Sequence, residues 1–176
     1  MHILTLGDER LRQKAAPVRE IGPAYQQTAE AMFACLHSGK GVGLAGPQVG
    51  IMERIFVVHI DGDAPRVFIN PSILETSAEL GVCEEGCLSI PGQYAEVTRP
   101  QAVKVQAWNE RGKPFTLKAA GTLARVIQHE YDHLEGVLFI DKLPEKQRGK
   151  LTAKFARSLA GRRAARARAA ASEGGQ

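Results

Sequence analysis

The segment from residue 122 to residue 134 constrains the fold more than any other part of this sequence. Its apolar side chains recur at helical spacing, and it contains the run His129-Glu-Tyr-Asp-His133. Positions i and i+4 share one face of an α-helix, so His129 and His133 can bind the same metal ion. Glu130 points in a neighbouring direction, from which it can reach a metal-bound water without being a ligand. The pattern predicts a helix that carries part of a metal site, and the plainer alternative is a helix with two surface histidines.

A catalytic site of the zinc type needs a third protein ligand and leaves a further position for water. The extended metalloprotease pattern would place a histidine where this chain has Phe139. Cys87 is a better candidate, because a thiolate on an extended segment could meet the helix. Cys83 is the competing thiol, although a small buried side chain is the more ordinary role for a free cysteine. Glu145, just beyond a proline at the head of a polar helix, remains as a downstream carboxylate.

The rest of the chain contains helical and strand patterns without an internal repeat. Residues 24–37 and 145–171 have helical spacing, and the chain then ends in a Gly-rich sequence that is expected to fray. Runs that are rich in β-branched residues or that alternate in polarity occupy residues 54–60, 66–69, 102–108 and 115–118. This mixture predicts one α+β domain with a helical C-terminal extension.

Charge divides the chain into two parts. Residues 1–145 hold 14 Lys and Arg against 18 Asp and Glu, a net charge of −4. Residues 146–176 hold 9 Lys and Arg against one acid, a net charge of +8. A basic tail on an acidic body indicates attachment to a polyanion, and a solvated helix is the alternative. We therefore predict a catalytic domain over 1–145 and a basic, Ala-rich helix with a frayed end over 146–176.

Length, composition and cysteine content exclude several classes of protein. With 176 residues, 44% hydrophobic and 24% charged, the chain is neither a collagen nor a wholly disordered protein. No apolar run approaches the roughly 20 residues of a membrane helix. The first residues become charged too early for the core of a signal peptide. The three cysteines are therefore expected to be reduced, and the expected location is the cytoplasm.

Three segments together resemble the signature motifs of peptide deformylases. They are Gly41-Val-Gly-Leu-Ala-Gly-Pro-Gln48, Glu85-Gly-Cys-Leu-Ser89 and Gln128-His-Glu-Tyr-Asp-His133. They occur in the family's order and at its approximate spacing, and weaker similarities extend over residues 3–143. The resemblance implies small antiparallel sheets packed around a central helix that carries the His-Glu-x-x-His motif, with a C-terminal helix after it.

The resemblance also implies a reaction, the removal of the formyl group from the N-terminal formylmethionine of newly synthesised polypeptides. It assigns Cys87, His129 and His133 as ligands of one divalent metal ion. Glu130 would act as general base and then as general acid during attack by metal-bound water. Ferrous iron is the physiological metal that the resemblance implies, whereas the Cys-His-His set by itself also fits zinc, nickel or cobalt.

Further roles follow from the resemblance for groups beside the metal. The side-chain amide of Gln48 and the backbone N–H of Leu88 would stabilise the oxyanion, each donor typically contributing ~3 kcal/mol. From the residues themselves we also expect Glu85 to pair with Arg99 and to hold the segment of the thiolate ligand. The alternative for this pair is a surface ion pair that contributes little.

A peptide substrate needs an accessible backbone edge and an apolar pocket for its methionine. A peptide could approach the backbone closely at Gly43 and Gly86 and pair with it as an added strand. The resemblance suggests Val42 and Val126 as parts of the methionine pocket, and ordinary core packing is the alternative for both.

Two positions depart from the family pattern. Gly46 stands where the family usually has Ala, and the missing methyl is expected to loosen the loop. Tyr94 lies at a position beside the substrate cleft where some members carry Arg, so a charged contact to the peptide is not expected there.

The expected partners are N-formylmethionyl nascent peptides and, through the basic helix, the ribosome, but not membrane or DNA. In some family members a C-terminal helix docks on the ribosome. Two other functions compete with deformylation. One is a general metallopeptidase that needs no formyl group, and the other is an RNA-binding module with a structural metal closed by Cys83. Glu130 argues against the second, because a structural site has no need of it.

Overall fold

The computed structural model describes residues 1–173 and the side chains of residues 1–161. Of the end predicted to fray, residues 172–176, the first two residues continue a helix and the last three lie outside the described residues. The strands found are β1 (Gly43–Ala45), β2 (Ile55–Val58), β3 (Arg66–Thr76), β4 (Leu80–Gly86), β5 (Tyr94–Pro100), β6 (Ala102–Trp108) and β7 (Pro114–Ala120). Five of these strands form an antiparallel sheet in the order β1-β2-β3-β6-β7, and β4 and β5 form a separate antiparallel hairpin.

Three α-helices accompany the sheets in the described part of the chain. They are α1 (Ala24–Ser38), α2 (Gly121–Leu134) and α3 (Glu145–Glu173). Each agrees to within two residues with a helix predicted from apolar spacing. The architecture is therefore the predicted α+β fold, with α2 as the helix that carries the His-Glu-x-x-His motif. None of the described helices is both long and apolar enough to span a membrane.

Strand β2 lies at the centre of the core because both of its faces are covered. Val57 belongs to the apolar cluster that includes Met32 of α1, whereas Phe56 belongs to the cluster that includes Ile127 of α2. Successive residues of a strand point to opposite faces, so a strand buried on both faces has a continuous apolar sequence. The run Ile-Phe-Val-Val has this character, and it fixes α2 against one side of the sheet.

Strand β3 is longer than the predicted run at residues 66–69. It continues through Pro71 to Thr76, although a proline normally ends a strand or confines it to an edge. The register with β6 shifts between Ile69 and Ser72. Asn70 adopts a positive φ of 48°, and its side chain exchanges two hydrogen bonds with the backbone of Val18. This bulge accommodates the proline, and the sequence pattern did not reveal it.

The β4-β5 hairpin packs against the chain that follows α2. Its Val97 belongs to an apolar cluster with Phe139 and with two residues of α3, Leu151 and Phe155. Both α3 residues are buried, so the first turns of this helix contribute to the hydrophobic core. The outer side chains of the hairpin, including Val82, are exposed. Contacts on one side only therefore hold the hairpin in place.

Candidate metal centre

Helix α2 and the end of β4 bring three potential metal ligands together. One ligand atom from each of Cys87, His129 and His133 lies within 4.8 Å of the others. The Sγ atom of Cys87 is 3.3 Å from Nε2 of His133. Both histidines are buried, which excludes the alternative of two surface histidines.

The other candidate ligands lie elsewhere. Cys83 and Glu145 are exposed, and neither belongs to this group. Phe139, which stands where the extended metalloprotease pattern would have a histidine, stacks on the ring of His129 with centroids 6.2 Å apart. Among the described residues the group therefore has three protein ligands and lacks the fourth that closes a structural site.

The imidazole rings are oriented for metal binding. Nδ1 of His129 lies 3.0 Å from Oε2 of Glu85, which leaves Nε2 for the site. Nε2 of His133 faces Cys87, while its Nδ1 and Oε2 of Glu130 are buried without a hydrogen-bond partner in the described part of the chain. A thiolate, two imidazoles and an unpaired buried carboxylate oxygen beside them fit a single transition-metal ion.

The carboxylate of Glu85 is the centre of the surrounding charge network. Arg99 donates to both of its oxygens, at 2.7 and 2.9 Å, and Arg125 donates to Oε1 at 2.7 Å. Arg99 also donates to Oδ2 of Asp132 at 2.7 Å. The pair of Glu85 and Arg99 expected from the sequence is thus formed, and it is buried rather than a surface pair. The contacts of Arg99 with Asp132, and of Arg125 and His129 with Glu85, join the hairpin to α2.

This network shifts the pKa values of Glu85 and His129. Burial opposes the charge of Glu85, but hydrogen bonds from His129 and Arg99 outweigh it and hold the pKa of this carboxyl well below its usual range. Burial likewise opposes the charge of His129, but Cys87 and Glu85 raise its pKa to about 10. A metal ion that binds here therefore has to displace a proton.

The two remaining titratable groups have opposite shifts. Burial raises the pKa of Glu130 to about 7, against the opposing charges of His129 and Arg99. Burial and the same two positive groups hold the pKa of His133 well below its usual value. His133 is therefore neutral, as a metal ligand must be, and Glu130 titrates in the range where a carboxyl group can both accept and donate a proton.

The amide of Gln48 points at the site. Its Oε1 accepts a hydrogen bond from the backbone N–H of Ala45 at 2.8 Å, which fixes the orientation of the amide. Its Nε2 then donates toward Sγ of Cys87 at 3.4 Å and toward Oγ of Ser89 at 3.2 Å. Leu88, the other predicted oxyanion donor, lies directly after Cys87.

A cleft of about 630 Å³ opens beside these groups. The four residues predicted to bind substrate all line it, together with Gln48, Cys87, Leu88, His129 and Glu130. The substrate residues are Val42, Gly43, Gly86 and Val126.

Gly43 and Gly86 have steric reasons to lack a side chain. A Cβ atom at Gly43 would lie 2.3 Å from Oε1 of Glu130, so any larger residue would displace that carboxylate. A Cβ at Gly86 would lie 2.6 Å from the ring of Tyr94, which is 64% exposed at the rim of the cleft. Tyr94 thus covers the backbone of β4 instead of presenting a charge.

Gly46 is tightly packed, contrary to the expected loosening of its loop. A Cβ atom there would lie 2.6 Å from the carbonyl oxygen of Ile51. The backbone N–H of Ile51 also donates to the carbonyl of Gly46 at 2.9 Å. The missing methyl is therefore replaced by a close backbone contact.

The sequence reasoning missed Arg125. This residue lies one helical turn before His129 on the same face of α2, and it lines the cleft. The i, i+4 spacing that identified the two histidines could have identified it as well.

Cys87, His129 and His133, with a carboxylate and a primary amide beside an open cleft, have the composition of a mononuclear metal site of the hydrolytic class. The sequence model of a family described as polypeptide deformylase matches residues 1–149. The chain belongs to the polypeptide deformylase family, whose members are hydrolases.

Individual relatives agree with this assignment. A peptide deformylase of Prochlorococcus marinus is 44% identical over 151 residues, which cover 84% of this chain and 75% of the relative. One from Neisseria gonorrhoeae is 43% identical over 157 residues, 88% of this chain and 93% of the relative.

Solved structures agree in fold as well as in sequence. The peptide deformylase of Legionella pneumophila matches with a TM-score of 0.86 and 39% identity, covering 92% of this chain and 96% of that one. The Synechococcus elongatus enzyme in complex with actinonin matches with a TM-score of 0.84 and 43% identity, over 89% of this chain and 86% of that one.

The network around Glu85 generates a prediction for metal affinity. Glu85→Gln removes the charge behind His129, and we expect the variant to bind Co²⁺ about 10- to 100-fold more weakly in a chelator-competition titration. Glu84→Gln is the matched control, because Glu84 is exposed on the same strand. Equal Co²⁺ affinities for the two variants would contradict the role assigned to Glu85.

Proposed function

We propose that this protein is a metal-dependent peptide deformylase, which hydrolyses the N-terminal formyl amide of newly synthesised polypeptides and releases formate. The observation that carries the proposal is the group formed by Cys87, His129 and His133, with the carboxylate of Glu130 buried next to it in an accessible cleft.

The ligands proposed for the metal are Cys87, His129 and His133. A divalent ion held there supplies a Lewis acid that polarises a carbonyl and brings the pKa of water close to neutrality. We infer ferrous iron as the physiological ion, a choice that rests on the family resemblance, since the donor set also suits zinc, nickel and cobalt.

The proton transfers are assigned to Glu130. Its buried carboxylate accepts the proton of the attacking water and passes it to the amine that leaves. The oxygen of the formyl group becomes negatively charged in this step. The Nε2–H of Gln48, whose amide is held by Ala45, and the backbone N–H of Leu88 are the donors proposed for that oxygen.

The peptide is proposed to lie in the cleft between two backbone edges. Val42, Gly43 and Gly86 all line it, so an extended chain can pair with main-chain groups there and add a strand. Val126, on α2, contributes to the pocket for the methionine side chain. A backbone-based mode of binding suits an enzyme that must accept many sequences after the first residue.

Replacement of the proposed base gives a direct test of this mechanism. We expect Glu130→Gln to retain its metal, because Glu130 is not a ligand, and to lose at least about 100-fold in formate release from formyl-Met-Ala-Ser, the lower end of what general acid–base catalysis contributes. Formate release and metal content would be measured anaerobically in iron-loaded protein. The control is Glu30→Gln, because Glu30 is exposed on α1 and does not line the cleft.

Full activity in the Glu130→Gln variant would contradict the role of Glu130. Absence of formate release from the fully metallated wild type would contradict deformylation itself.

We further propose that the division at residue 145 separates a catalytic domain from a basic helix that binds ribosomal RNA phosphates. Lys150, Lys154 and Arg157 are exposed on α3, whereas Leu151 and Phe155 anchor this helix to the core. The buried anchors hold the helix while its cations stay available to a polyanion. Ribosome association would place the enzyme in the cytoplasm, beside its substrates.

Deletion of α3 would also remove the buried anchors, so charge neutralisation is the cleaner test. We expect replacement of Lys150, Lys154 and Arg157 by Gln to weaken co-sedimentation with ribosomes at low salt and to reduce its salt dependence. The control replaces Arg111, Lys113 and Lys118, which are exposed on the β6-β7 hairpin, by Gln. Identical co-sedimentation of both variants would contradict the proposal.

A further inference from the structure

Arg125 lines the cleft, and its guanidinium also forms hydrogen bonds with the β4-β5 hairpin. From α2, its Nη1 donates to the carbonyl oxygen of Val97 on β5 at 2.9 Å and to Oε1 of Glu85 at 2.7 Å. Its Nη2 donates to the carbonyl oxygen of Gly81 on β4 at 2.7 Å. One guanidinium thus holds two backbone groups, on both strands of the hairpin, and one carboxylate.

The hairpin needs such contacts to keep a fixed position. A two-stranded hairpin is marginally stable by itself. Its outer face is open to solvent, since the side chains of Leu80 and Val82 are 59% and 62% exposed. The position of β4 relative to α2 therefore depends on the contacts made by its inner face.

Arg99 and Arg125 act from opposite sides of this junction. Arg99 belongs to β5 and reaches across to Asp132 of α2. Arg125 belongs to α2 and donates hydrogen bonds to two residues of β4, Gly81 and Glu85. Cys87 follows Glu85 by two residues, so the contact of Arg125 with Glu85 lies close in the chain to the thiolate.

We propose that Arg125 is a positioning residue of the metal site. Its guanidinium fastens the hairpin to α2, and through β4 and Glu85 it sets where the Cys87 thiolate and the His129 ring meet the metal. The hydrogen bonds of Arg125 go to Glu85, Val97 and Gly81 and not to Cys87, His129 or His133. The proposal deepens the deformylase function and rests on it for its biological meaning, but the metal geometry that it concerns can be measured without any reaction.

The test compares three full-length variants with the wild type. Arg125→Met keeps the apolar stem and removes every donor, and Arg125→Lys keeps the charge but cannot reach all three acceptors at once. Arg111→Met is the matched control, because Arg111 is exposed and distant in sequence from the site. The readouts are Co²⁺ affinity by chelator competition, the thiolate-to-cobalt charge-transfer absorption, and the melting temperature.

We expect Arg125→Met to bind Co²⁺ at least about 10-fold more weakly than the wild type, with an altered charge-transfer band. Arg125→Lys should recover part of the affinity, and Arg111→Met should match the wild type. A lower melting temperature with unchanged Co²⁺ affinity and spectrum would overturn the proposal, since it would show a structural role only. If Arg125→Met does not fold, wild-type affinity in Arg125→Lys overturns it and reduced affinity supports it.

Failure of this inference can be distinguished from failure of the proposed function. Deformylation is tested by formate release from the wild type, whereas the role of Arg125 is tested by cobalt binding and absorption. Either result can be negative while the other is positive.

Discussion

One buried carboxylate holds the two halves of the site together. Glu85, next to the end of β4, is bound by Arg99 from its own hairpin and by Arg125 and His129 from α2. An ionised carboxylate is costly to bury unless it is paired and fully hydrogen-bonded, so these partners are a condition for the fold of this region. The same bonds align the His129 ring and place Cys87 opposite it. The stability of the hairpin and the geometry of the site therefore depend on one cluster.

Packing against the rest of the structure holds α2 in the position that this cluster requires. Strand β2 carries apolar side chains on both faces, and the face that includes Phe56 packs against the helix. On the other side of α2, Phe139 stacks on His129 and joins the hairpin to α3. A side chain is missing at Gly43 because the carboxylate of Glu130 occupies the space where a Cβ atom would lie. Packing thus positions the polar groups, and the glycine leaves room for the carboxylate of Glu130.

Features encoded over short distances in the chain could be predicted from the sequence. The helical period predicted α2 and placed His129 and His133 on one face. The alternation of apolar and polar residues, together with the turn residues, predicted the β6-β7 pair. Features that depend on long-range contacts could not be predicted in this way. The extension of β3 through its proline needs the hydrogen bonds between Asn70 and Val18. The contacts of Arg125 join residues 28 to 44 positions apart. The residues favoured Cys87 over Cys83, the resemblance assigned Cys87, and the fold groups Cys87 with the histidines.

The central claim is that three side chains hold one metal ion and leave room for water. X-ray absorption at the metal edge of the full-length protein, loaded with one equivalent of Co²⁺, tests this claim most directly. The account predicts one sulfur and two imidazole nitrogens, completed by oxygen, and no change in the Cys83→Ser variant. A first shell with two sulfurs, or one without sulfur, would contradict it.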